Sequence, residues 1–312
     1  MKKIGSLILK TTVSVLLFLL ILSYVDKELF MSSFRSVSYA FLPIIALLIV
    51  ANYVVSSFRW KALLIEKNSE KIKVSYLVNL YFIGSFFNNF MPTSMGGDVF
   101  KIYALGKKIK STATAFSSVF MERFSGVVAL VLISYFGLVK TLNFWVSILP
   151  EPIKSSDFLI LVFKVVLFFG FWLCTLVGYL SLKFLAGKIN IFNKIYTSLI
   201  AYKDRKDVLG SALATSFVVQ FVAILTQYCV FLALGISLPI WHSLLVFPIV
   251  TLAGFIIPSL NGVGVQDVLY MQMFSVVGVP PEVSLSASIL YHFFRLFVSL
   301  FGGVLYALGK DQ

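Results

Sequence analysis

Charged side chains are scarce inside the apolar runs of this sequence, and those present fall into a repeated pattern. Asp98 is followed 25 residues later by Arg123, and Asp267 is followed 28 residues later by Arg295. Glu122 precedes Arg123, about 100° away around a helix, and His292 lies one turn before Arg295 on the same face. A charge in hydrocarbon is costly, so charges kept there mark binding sites or transport paths. Two guanidinium groups facing one cavity would hold an anion, phosphate above all, through their planar fork of donors. The alternative for Asp98 and Asp267 is structural: each neutralises its arginine or caps a helix. Glu122 would pair with an arginine or carry a proton. His292 would suit proton coupling or an interhelical hydrogen bond.

Each of these acids closes a polar break. The first reads Asn88-Asn89-Phe90-Met91-Pro92-Thr93-Ser94-Met95-Gly96-Gly97-Asp98, the second Pro258-Ser259-Leu260-Asn261-Gly262-Val263-Gly264-Val265-Gln266-Asp267. Asn89, Ser94 and Asn261 can satisfy broken backbone or bind ligand hydroxyls. Gly96, Gly97, Gly262 and Gly264 let a helix restart with its N–H groups aimed at an anion. With Asp98, Glu122, Arg123, Asp267 and Arg295 these are the expected substrate-binding residues. Gln220 and Gln227 are expected to pack helices together or line the cavity, and Gly302-Gly303 to admit a close helix contact.

The elements that carry these residues follow from hydropathy. Hydrophobic residues make up 59% of the 312, charged residues 12%, and mean hydropathy is +0.97, too little polar surface for a soluble globule. Full spans are expected at about 7–25, 39–58, 112–139, 158–182, 208–235 and 285–308. Segments 59–73 and 101–110 are rich in Lys and Arg, counting Arg59 and Lys101, and are expected on the cytoplasmic side. The hydrophobic run between them then enters and leaves by one face as a re-entrant hairpin, 74–105, and 240–277 forms its counterpart from the other face. The expected fold is an all-α polytopic membrane protein of about six full transmembrane helices and two re-entrant hairpins, with both termini cytoplasmic. It forms one transmembrane domain, in which 39–139 and 208–308 are inverted repeats around a central site, flanked by 1–38 and joined by 140–207.

Other chemistries find no pattern. The net charge of +13 sits in short loops and reads as membrane orientation, so no nucleic acid is expected. Cys174 and Cys229 fall inside expected spans, which gives no disulfide framework and no metal site. Nucleophile elbows, P-loops and paired-aspartate motifs are absent from the sequence, so neither an enzyme nor a cofactor is expected.

The motifs Asn89-x-x-Pro92, Gly96-Gly97-Asp98-x-x-Lys101, Glu122-Arg123-Phe124-Ser125-Gly126 and Pro258 to Asp267 resemble those of the lysylphosphatidylglycerol synthase transmembrane-region family, also called flippase-like membrane proteins. The resemblance spans the chain. It departs at Asp267, where the family usually has the longer Glu. It implies lipid movement between leaflets: aminoacyl-phosphatidylglycerol in fused members, and polyisoprenoid-linked or other glycolipids in stand-alone ones. No segment reads as an aminoacyl-transferase domain, so a stand-alone member is expected. The leading expectation is a cell-membrane lipid flippase for an anionic phospholipid or polyprenyl-phosphate lipid, monomeric or oligomeric. A membrane-embedded enzyme or accessory subunit of envelope lipid glycosylation, and a small-solute or ion transporter, are the competing readings.

Overall fold

The computed structural model describes residues 26–35, 37–65, 71–90, 96–147, 149, 156–162, 164–165, 169, 180, 197–198, 200, 202–257, 259 and 261–309. The expected span at 7–25, most of that at 158–182, and Ser94 lie outside them. Among the described residues there are nine helices and no strand: α1 Lys27–Arg35, α2 Phe41–Ala62, α3 Val74–Phe90, α4 Gly96–Ile109, α5 Thr112–Ser147, α6 Lys206–Ala233, α7 Ile240–Ile256, α8 Val265–Ser275 and α9 Pro281–Ala307.

Length divides them into two kinds. Helices α2, α5, α6 and α9 have 22, 36, 28 and 27 residues and are apolar enough to cross a membrane. Even the shortest covers about 33 Å, against a hydrocarbon core of ~30 Å. Helices α3, α4, α7 and α8 have 17, 14, 17 and 11 residues. They reach only about 17 to 26 Å. Helix α5 runs to Ser147, beyond the expected end at 139, because Thr141 and Trp145 continue it without a breaker.

The order long, short, short, long occurs twice. The two short helices of each half lie against one another, and the second packs on the long helix that follows it. The first short helix of each half crosses to the other half: α3 packs on α9, and α7 on α5, while α2 and α6 face each other. Backbone contact fixes both crossings. A Cβ on Gly302 of α9 would lie 2.0 Å from the Phe82 carbonyl oxygen of α3, and one on Gly137 of α5 would lie 2.7 Å from the Leu245 nitrogen of α7. Such approach of small residues replaces the hydrophobic drive that lipid does not supply, and it accounts for the expected role of Gly302.

Apolar layers fill the remaining space. Phe231, Phe247, Tyr270 and Phe274 stack where α6, α7 and α8 meet, and Trp60, Leu77, Leu80 and Leu105 join α2, α3 and α4. Phe293, Phe297 and Phe301 form an exposed stripe along α9, a face suited to lipid. Helix α6 stops at Gly235, whose φ of +77° lets the Ile236 N–H turn back to the Phe231 carbonyl at 2.9 Å.

The tightest approach lies in the first helix pair, where a Cβ on Gly97 would stand 1.9 Å from the Gly84 carbonyl oxygen. Gly97→Val is therefore expected to destabilise the protein by about 3 kcal/mol or more, since backbone rather than a flexible side chain must move. Gly210→Ala, with no atom within 4 Å of the new methyl, is the control and melts no lower than wild type. Thermal unfolding in detergent reads both.

Candidate functional site

The first half gathers five charged side chains into one cluster. Arg59 stands in the last turn of α2, Asp98 and Lys101 at the start of α4, and Glu122 and Arg123 on α5. Asp98 faces the arginine because its capping duty is taken elsewhere: the Asn88 side chain of α3 accepts the Gly97 N–H at 2.7 Å. Arg123 then grips Asp98 with two parallel bonds, Nε to Oδ2 at 2.8 Å and Nη2 to Oδ1 at 2.9 Å.

Glu122 holds the other two cations. Arg59 Nη2 donates to its Oε1 at 2.8 Å and Lys101 Nζ to its Oε2 at 3.0 Å. Arg59 Nη1 also donates to Ser216 Oγ at 2.9 Å, and Gly126 leaves room for that guanidinium beside Gln220. The Lys101 ammonium lies 4.1 Å from the Tyr81 ring centre and 4.7 Å from that of Trp60, and 3.5 Å from Asp98 Oδ1. Arg59, Lys101 and Glu122 are buried at 5%, 3% and 2% exposure, depths at which only paired charges survive.

The second half contributes Arg295, by a different arrangement. Its Nη2 donates to Asn261 Oδ1 at 2.8 Å, and its guanidinium stands 5.4 Å from the Tyr291 ring centre. Asn261, left-handed at φ +50°, donates from Nδ2 to Asn89 Oδ1. Asn89 in turn donates to Ser299 Oγ at 2.7 Å. The two breaks therefore touch through the paired asparagines. Asp267 takes no part in this. It accepts the Gly264 N–H at 2.8 Å and the Ser288 hydroxyl at 2.5 Å, and it is fully buried at the start of α8.

Both groups open on one cavity of about 220 Å³, lined by Arg59, Asp98, Lys101, Glu122, Arg123 and Arg295, with Asn52, Asn88, Gln220 and Asn261 among its neutral polar groups. Four cations face two carboxylates, so the lining carries a surplus of two positive charges. Asp98, Glu122, Arg123, Asn261 and Arg295 are brought together as expected of one site, and Asn89 is one bond removed. Gly96, Gly97, Gly262, Gly264 and Asp267 shape the helix starts behind the lining, and His292 lies beside Asp267. Of the two glutamines, Gln220 lines the cavity and Gln227 ties α6 to α8 by accepting the Tyr270 hydroxyl. Among the described residues no cluster of His, Cys, Asp and Glu could hold a metal ion.

Two charged members of the site were not expected from the sequence. Arg59 and Lys101 stand at the ends of apolar runs and read there as loop charges; the structure places them inside, on Glu122. The available signal was Glu122 itself. Its neighbour Arg123 points about 100° away around the helix, so a buried glutamate there required a cation from another element.

Long apolar helices around a charged internal cavity define an all-helical, multi-pass membrane protein. The chain belongs to the lysylphosphatidylglycerol synthase TM region family, which it matches over residues 7–303. It is 24% identical over 294 residues to the UPF0104 membrane protein PH1989 of Pyrococcus horikoshii, covering 85% of this chain and 86% of that one. It is 23% identical over 236 residues to a UPF0104 membrane protein of Methanothermobacter thermautotrophicus, covering 69% of each. No solved structure matches the chain.

Proposed function

We propose that the protein moves a lipid with an anionic head group between the leaflets of the cell membrane. The head group occupies the cavity and the tails stay in the bilayer. The observation that carries this reading is the charge of the lining, four cations against two carboxylates, inside a chain whose outer surface is apolar. An anion of one or two negative charges brings that lining to neutrality. In this reading the head group binds and does not react, and Asp98 and Glu122, both held in ion pairs, position the cations that receive it. A phospholipid and a polyprenyl-phosphate lipid present the same phosphate to these arginines.

The helix arrangement supports a transport cycle. Each pair of short helices is packed together and its second member is too short to span, which suits two re-entrant hairpins entering from opposite faces. The matching order of elements in the two halves suits inverted repeats, the design in which one half rocks against the other around a fixed site.

Purified protein in vesicles is expected to carry a labelled anionic phospholipid or polyprenyl phosphate across the bilayer. Arg295→Ala, which removes a cation that among the described residues is held by Asn261 and Tyr291, should slow that movement severalfold. Equal rates for wild type and Arg295→Ala would remove Arg295 from the site. Flux of a small anion without lipid movement would replace the lipid reading by a solute transporter.

A further inference from the structure

Asp267 differs from every other buried carboxylate of the described residues in having no lysine or arginine partner. Asp98 has Arg123 and Lys101, and Glu122 has Arg59 and Lys101. Asp267, at 0% exposure, has the Gly264 N–H, the Ser288 hydroxyl, and His292 Nε2 at 3.4 Å from Oδ1. A carboxylate without a countercharge is unfavourable at that depth, and among the described residues the countercharge within reach is a proton on the imidazole or on the carboxylate itself. His292 Nε2 is itself buried and has no other hydrogen-bond partner among the described residues, while the ring as a whole keeps 14% exposure.

Among the described residues the surroundings supply no other neutralising charge. Tyr270 on α8 and Tyr291 and Arg295 on α9 are the titratable groups nearby, and Arg295 is turned to Asn261. Helices α3 and α7 carry no charged residue, Arg59 of α2 is held by Glu122, and no charged residue of α1 or α6 pairs with Asp267 or His292 among the described residues.

We propose that Asp267 and His292 form a proton-binding site, separate from the head-group cavity, whose occupancy is coupled to it through the turn 261–264. The coupling is mechanical. Asp267 Oδ2 caps α8 at Gly264, and that cap fixes the turn from which Asn261 holds Arg295 on one side and Asn89 on the other. Removing the proton changes what Oδ1 can accept and so loads or loosens the cap. A transporter built this way draws on a proton gradient. The coupling rests on the cavity being a transport site, whereas the proton site does not.

The chain has two histidines, so His242→Asn leaves His292 as the single imidazole. Its NMR signal in labelled, reconstituted protein can be followed from about pH 5 to 8. Adding Asp267→Asn should move the titration midpoint. Ser288→Ala removes a competing donor to the same oxygen and should move it the opposite way; it also serves if Asp267→Asn fails to fold. A midpoint unmoved in both variants overturns the proton site. In vesicles, a tenfold proton gradient should change the wild-type rate of lipid movement severalfold and leave His292→Gln insensitive. A wild-type rate indifferent to the gradient overturns the coupling. Wild type that moves no lipid counts against the transport reading alone, and the NMR titration then still decides the proton site.

Discussion

Glu122→Ala should lower the stability of the folded protein by about 3–5 kcal/mol, the usual result of stripping the partner from a buried ion pair. The reason is arithmetic within the cluster. Arg59, Lys101 and Arg123 now face Asp98 and Glu122, three charges against two. Without Glu122 it is three against one, and Arg59 and Lys101, at 5% and 3% exposure, lose the carboxylate that both of them bond. Glu122→Gln keeps acceptors for both donors and should fall between the two. Thermal unfolding in detergent, with yield of monodisperse protein as a second measure, checks the order wild type, Gln, Ala. Glu122→Ala melting like wild type would show that these charges are not truly enclosed.

Arg123→Ala is expected to act in the opposite manner, sparing the fold and disabling the site. The cluster it leaves, Arg59 and Lys101 with Asp98 and Glu122, is neutral, and Asp98 retains Lys101 at 3.5 Å. What disappears is the surplus cation and its fork of donors. Charge-assisted hydrogen bonds of this kind contribute roughly 1.5–3 kcal/mol, so lipid movement should fall about tenfold to a hundredfold. Arg123→Lys restores charge without the fork and should recover only part of the rate. The measurement is the initial rate of labelled-lipid movement beside the melting temperature of the same preparation. A variant that melts normally and transports at the wild-type rate removes Arg123 from the head-group site.

These contrasting effects show what could be read from the sequence and what could not. The long apolar helices and the helix breaks were legible in composition, and the repeated order of aspartate and arginine left the pairing of Asp98 with Arg123 as one of two readings. Arg59 and Lys101 were not legible, because hydropathy reports how apolar a run is and not how deep its last turn lies. The equivalence of the two aspartates also misled. Both follow a glycine pair at a helix start, yet Asn88 caps Gly97 and frees Asp98 for Arg123, whereas at the second break no such residue intervenes and Asp267 caps Gly264 itself. A single neighbouring amide thus decides whether an acid of the same local pattern faces the cavity or the helix.

The exchange of short helices between halves also sets an order of assembly. Helix α3 leaves the ribosome early, but the helix it rests on, α9, is the last described: Asn89 finds Ser299 only 210 residues later. Until then Asn89 has neither Ser299 nor Asn261 to bond, and a version cut short before α9 leaves it without the first of these partners.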